Sequence, residues 1–167
     1  MNSSALARLT KPNTNKKNLG EAYLKFQLNQ ETSAVLSMSQ AQEVFVLPVG
    51  RLTPMPNMPY YVLGLLNRRS KVLWVIDLAK MLGLPGDLTN VQHYNSVIIN
   101  SGSVSLGVIV QAVEGVMRLK SESIQPPLGQ VSSGLVPYLR GCVLLDTEIL
   151  LVLDVEAIIR SPLLQNA

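Results

Sequence analysis

The stretch Leu63-Gly64-Leu65-Leu66-Asn67-Arg68-Arg69-Ser70-Lys71-Val72-Leu73-Trp74-Val75-Ile76-Asp77 decides the fold. Two apolar runs flank the polar break Asn67 to Ser70, the pattern of a β-hairpin whose tip stands in water. Leu78 to Leu82 then reads as a short helix, with Gly83 as its stop and Pro85 beyond. An acid just before a helix accepts its orphan N–H groups, a gain of about 1 kcal/mol. Asp77 is therefore read as a helix cap, in preference to a catalytic acid.

The same plan returns near the end of the chain. Arg140 to Leu144, the polar Asp146-Thr147-Glu148, Ile149 to Leu153 and Asp154 align on the first hairpin without gaps. Gly64 falls on Gly141, Val75 on Val152 and Asp77 on Asp154, and the short helix falls on Val155 to Ile159. The matching order of strand, tip, strand, Asp and helix predicts a duplicated β-unit. Gly64, Gly141, Asp77 and Asp154 are its structural marks.

Working outward, Tyr23 to Leu28 alternates with period two, and Ala34 to Met38 is apolar and β-capable. Ser39 to Val44 suggests one helical turn, followed by the β-branched and aromatic Val44 to Leu47. Pro54, Pro56 and Pro59 make the next segment an extended connection or an edge, since proline cannot donate to a central ladder. Three further strands are expected at Ser96 to Asn100, Ser105 to Val110 and Val113 to Leu119, with a turn near Asn100-Ser101-Gly102. Strands this short at this spacing argue for small barrels or sandwiches over a parallel sheet. The reading is mainly all-β: two barrel-like lobes with short helices, spanning residues 21–160. A flexible basic tail (1–20) precedes them and a short tail (161–167) follows.

Composition narrows the function. A chain of 167 residues that is 47% hydrophobic and 15% charged is not a disordered polymer. Its one cysteine, Cys142, and one histidine, His93, exclude an internal disulfide framework and a Cys/His zinc site. Cys142 lies in an apolar strand and reads as a small buried hydrophobe. Trp74, inside an apolar strand, reads first as core, although its indole N–H needs a partner if fully buried and so leaves room for a surface or groove position. His93 reads as an exposed residue of a polar linker. No phosphate-binding glycine loop, metalloprotease helix or nucleophile elbow occurs, so no catalytic residue, metal ligand or cofactor is assigned. No apolar run approaches the ~20 residues of a spanning helix, and the start lacks a signal-peptide core. A cytoplasmic location without direct membrane insertion is expected.

The net charge of +3 is unevenly placed. Residues 1–20 hold Arg8, Lys11, Lys16 and Lys17 with no acid, whereas the rest has ten basic and eleven acidic residues. A nearly neutral body with 5% aromatics is a poor nucleic-acid platform, although a basic tail assisting a small β-barrel keeps that alternative open. The adjacent Arg68 and Arg69 at the hairpin tip stand out, because Arg is enriched at interface hot spots.

These residues resemble the CheW-like coupling proteins of bacterial chemotaxis-type signalling. That family carries G-[VIL]-[IVL]-N-x-R-G-x-[VI]-[IVL]-x-[VI]-[IVL]-D-[LM], on which Asn67, Arg69 and Asp77 fall. Gly107 to Leu119 followed by Ile124-Gln125-Pro126-Pro127, and Leu139-Arg140-Gly141 through Asp154, match two further family segments. The resemblance runs from about Glu21 to Ile159. It departs at Ser70, where the family has Gly, at Trp74, where Pro is common, and at Gln111, where Asp is usual.

The resemblance implies two five-stranded SH3-like barrels and a non-catalytic adaptor. The implied partners are the regulatory domain of a CheA-type histidine kinase and the cytoplasmic tip of a methyl-accepting receptor. The kinase would meet barrel against barrel; a receptor helix would lie in the groove between lobes. Weak self-association in arrays is a further implied contact. Arg69 leads the candidate partner-binding residues, with Asn67 and Arg68 beside it. Val35, Leu36, Met38, Leu63 and Leu65 are candidates for interface lining that fit the core equally well. A scaffold for pilus-driven motility is the alternative setting.

Overall fold

The apolar runs become ten strands: β1 Glu21–Gln27, β2 Ser33–Ser37, β3 Ala41–Pro48, β4 Val62–Arg68, β5 Lys71–Asp77, β6 His93–Ser101, β7 Val104–Val110, β8 Ala112–Leu119, β9 Leu139–Leu144 and β10 Ile149–Leu153. Three short helices accompany them, α1 Leu78–Met81, α2 Val155–Ile159 and α3 Pro162–Gln165. The computed structural model describes residues 20–165 apart from 87, 89, 90, 128 and 130. The basic segment before Gly20 lies outside the described residues.

The strands form two five-stranded sheets, ordered β8-β1-β2-β10-β9 and β3-β6-β7-β5-β4. The second order becomes the first when every strand is advanced by five, counting cyclically, so the duplication covers the whole fold. In each sheet the second strand of the duplicated hairpin pairs parallel to a neighbour, β5 with β7 and β10 with β2. All other ladders are antiparallel. The sheet-2 lobe is contiguous, β3 to β7, while the sheet-1 lobe joins β1 and β2 to β8, β9 and β10.

Three apolar clusters follow from the two-faced strands. Tyr23, Val35, Leu119, Val143, Leu150 and Val152 fill the interior of the first lobe. Leu47, Leu66, Val75 and Ile109, with Phe45 and Tyr94 against them, fill the second. The largest cluster lies between the sheets and draws on both, including Phe26, Leu36 and Leu153 from one and Ile76, Ile99 and Val108 from the other. Residues of α1 and α2 close it. With a fully buried Leu, Ile or Phe contributing about 1.5–3 kcal/mol, this shared layer makes the lobes one body.

The duplicated marks have matching surroundings. A Cβ on Gly64 would lie 2.4 Å from the carbonyl oxygen of Thr53, and one on Gly141 would lie 2.3 Å from that of Gln125. These approaches exist because Thr53 bridges Leu65 and Gln125 bridges Cys142, each pinning the preceding segment across its hairpin. Gly64 also sits at φ +146°. Asp77 accepts the Lys80 N–H at 3.2 Å and Asp154 accepts that of Ala157 at 3.0 Å, capping α1 and α2. Their own N–H groups donate to Tyr61 O and Tyr138 O, 77 residues apart like the aspartates. Both tyrosine hydroxyls reach the C-terminal segment, Tyr61 donating to Leu163 O at 2.6 Å and Tyr138 lying 2.6 Å from Ser161 Oγ. Leu164 packs on the shared core.

Several local expectations change. Ser39 to Val44 is not a helical turn; a 3₁₀ turn over Met38–Gln40 ends before β3, whose Val44 and Phe45 favour a strand. His93 opens β6 opposite Pro48 instead of lying in a linker. The hairpin tip is two residues long, because Arg68 and Lys71 still pair. Trp74 is not core: it is 39% exposed, since its face of β5 runs past the edge of the shared layer.

Candidate functional site: the hairpin tip and its outer face

The β4–β5 turn consists of Arg69 at φ +52° and Ser70 at φ +66°, both left-handed. Two consecutive positive φ values define the primed turn whose twist suits a hairpin, usually built from Asn-Gly. Here two residues with Cβ atoms occupy it, the structural consequence of Ser70 standing where the family pattern has glycine. The ladder forces this conformation, because it continues to the Arg68–Lys71 pair and leaves only two residues to reverse the chain.

Strand alternation then sorts the charges. Gly64, Leu66 and Arg68 face the barrel interior, as do Glu43, Phe45 and Leu47 on β3. The Arg68 guanidinium lies 3.7 Å above the centre of the Phe45 ring. It donates from Nε to Glu43 Oε1 at 3.0 Å and from Nη2 to Oε2. This forked pair closes the mouth of the barrel between its two edge strands. Arg69 makes one longer contact to the same carboxylate, 3.3 Å, and 78% of its side chain is exposed. Hydrogen bonds from Arg68, then Arg69, hold the Glu43 carboxyl down to about 2, well below its ordinary value.

Asn67, Leu65, Val72 and Trp74 share the outward face, Asn67 opposite Val72 and Leu65 opposite Trp74. Val72 is 65% exposed. Trp74 borders an apolar hollow of about 220 Å³ completed by Met58, Val62, Val104 and Leu164. A polar groove of about 680 Å³ runs between the lobes, with Asn29 and Glu31 on one side and His93, Tyr94 and Asn95 on the other. Gln111 lines it, its backbone tying the lobes through Gln27 O. Among the described residues no group of three or more His, Cys, Asp or Glu could hold a metal ion. No helix among them is long and apolar enough to cross a membrane.

The candidate residues separate. Asn67, Arg68, Arg69 and Leu65 are together on one hairpin. Leu63, half-buried, leans on the interior of the second lobe. Val35 and Leu36 are corrected to core: both are fully buried, because β2 is a central strand with the barrel interior on one face and the shared layer on the other. Met38 is 37% exposed in the 3₁₀ turn where the chain crosses from sheet 1 to sheet 2. Glu43 and Phe45 were missed, although the alternation Glu43, Phe45, Leu47 against Gln42, Val44, Val46 places them on one face.

A duplicated pair of β-barrel lobes, with an interlobe groove and an exposed cationic hairpin, defines a scaffold that works through its surfaces. The chain belongs to the CheW-like family: the model of the CheW-like domain matches residues 22–163. It is 31% identical over 145 residues to the chemotaxis protein CheW of Treponema pallidum, covering 84% of this chain and 83% of that protein. To the chemotaxis protein CheW of Thermotoga maritima it is 30% identical over 117 residues, covering 70% and 74%. Protein FrzA of Myxococcus xanthus is 33% identical over 85 residues, half of each chain. The crystal structure of the scaffolding protein TtCheW from Thermoanaerobacter tengcongensis shares the fold, with TM-score 0.70, 24% identity, and coverage of 81% of this chain and 89% of that one. Its role is that of an adaptor in chemotaxis-type signalling.

Proposed function

We propose that this protein is a non-catalytic cytoplasmic adaptor that binds the regulatory domain of a CheA-type histidine kinase and the cytoplasmic tip of a methyl-accepting receptor. The observation that carries the proposal is the family match across both lobes, residues 22–163, with the exposed Arg69 standing at the family's arginine position. The outer face of the same hairpin supplies apolar surface beside the cation, the combination of which interface hot spots are made. The interlobe groove, where Leu88, Val91 and Tyr94 lie among Asn29, Glu31, His93 and Asn95, is the place this reading gives to a receptor helix. Arg69 and Asn67 form the contact group, with Leu65 and Trp74 beside them and Arg68 behind them on Glu43. The basic segment at residues 1–20 is not needed for either contact.

Calorimetry of the full chain against the kinase regulatory domain tests this. Micromolar or tighter binding is expected, and Arg69→Ala should weaken it by about 2 kcal/mol. Folding stability of that variant should change by less than ~0.5 kcal/mol, as for an exposed substitution. Equal loss of binding and stability would make Arg69 a structural residue. Removal of residues 1–20 should leave this affinity intact; a chain that instead binds nucleic acid, and loses most of that affinity on the deletion, would be a nucleic-acid binder.

A further inference from the structure

One carboxylate at the hairpin tip serves two guanidinium groups, and the two are not equivalent. Arg68 engages both oxygens of Glu43, lies over the Phe45 ring and keeps 31% of its side chain exposed. Arg69 touches only Oε2, from further away and from a far more exposed position. The Glu43 side chain is 19% exposed, so protein donors must replace most of its water.

We propose that Arg68 is a positioning residue: by occupying Glu43 it leaves the Arg69 guanidinium free for a carboxylate on a protein partner. This rests on the reading of the hairpin tip as a partner contact. Without the Arg68 fork, Arg69 is the cation that reaches Glu43, and its withdrawal toward a partner would leave a poorly hydrated carboxylate unpaired. That loss would count against binding. With Arg68 in place, Glu43 keeps two charge-assisted hydrogen bonds when Arg69 leaves. The Phe45 ring supports the Arg68 guanidinium while its two N–H groups reach Glu43, an arrangement that a lysine ammonium cannot reproduce. The two-residue turn holds the Arg69 backbone at the apex, so only its side chain has to choose between Glu43 and the partner.

The test uses the full chain as native protein, Arg68→Leu, Arg68→Leu with Glu43→Gln, and Arg69→Ala. Two quantities are read: NMR rotation and Nε–H exchange of the Arg69 guanidinium, and affinity for the kinase regulatory domain. In the native chain Arg69 should rotate freely and Arg68 slowly. In Arg68→Leu, Arg69 should slow as it settles on Glu43, and affinity should fall about tenfold although Arg69 is intact. Adding Glu43→Gln should free Arg69 again and bring affinity back to within about threefold of native, a rescue that a merely structural role would not give. Should Arg68→Leu fail to fold, Arg68→Gln takes its place in both arms. An Arg69 that stays mobile in the single variant, or a loss that Glu43→Gln does not restore, overturns the proposal. If the native chain binds no such kinase, the adaptor reading fails, and the guanidinium signals alone decide the positioning role.

Discussion

The two lobes share a skeleton and differ in what they show to solvent. Each has the same strand order, the same glycine under a bridging carbonyl and the same aspartate capping a short helix. The differences begin at the outer face. Leu65 and Trp74 of the second lobe correspond to Cys142 and Leu151 of the first, which are buried. The cover is a longer connection: 19 residues (120–138) precede β9, against 13 (49–61) before β4. Within the longer one, Leu135 joins the shared core with Val131 and Tyr138 packed against it, whereas the shorter one supplies Tyr61 to that core and its Met58 borders the hollow beside Trp74. The tips differ too, the cationic Arg69-Ser70 facing Asp146-Thr147 in the other lobe. Duplication has kept the parts that hold backbone close to backbone and changed the parts that face solvent.

The largest expected effect tests the shared skeleton. Gly64→Val and Gly141→Val would each drive a Cβ into a backbone carbonyl that cannot retreat, and each should destabilise by about 3 kcal/mol or more in urea unfolding. A variant at one position that is tolerated would break the equivalence of the lobes. Next come the outer faces. Leu151→Ala should cost about 3 kcal/mol as a core truncation. The equivalent Trp74→Ala should cost under ~1 kcal/mol, because much of its surface is already wet. Equal costs would mean that the second lobe's face is as closed as the first's.

Smaller effects sharpen the tip. Ser70→Gly should raise stability by about 1 kcal/mol by relieving a left-handed residue, while the corresponding Thr147→Gly should not, since no positive φ is present there. The pH dependence of Glu43 tests the same tip. Its folded-state value, near 2, lies below the unfolded value of 4.5, so its contribution is complete above that range. It should be lost as pH falls from about 4.5 toward 2. Glu43→Gln should flatten the stability curve there, and an unchanged slope would mean the ion pair does not hold the barrel mouth.

Much of this was legible in the chain. The hairpin, the duplication and both aspartate caps could be read because each depends on local order: a turn between apolar runs, then an acid before a helix. The partners of the strands could not be read. Nothing in the β1 and β2 sequences says that they close a lobe with β8 to β10, and without that pairing Val35 and Leu36 look the same buried or exposed. Trp74 stayed open between core and surface for the complementary reason: an apolar strand residue cannot be placed unless the extent of the covering layer is known. Arg68 and Glu43 were 25 residues apart, and only the closure of the barrel brought them together.

The interleaved strand order also sets when each lobe can exist. The second lobe is complete once residues 41–110 are available, whereas β2 gains its parallel neighbour only when Ile149–Leu153 has been made. During synthesis the hairpin-bearing lobe can therefore fold early, on local connections, while β2 waits through more than a hundred residues for β10. The first lobe is the slow and vulnerable half of the molecule, and its closure by β10 is the step that turns a partly made chain into a finished one.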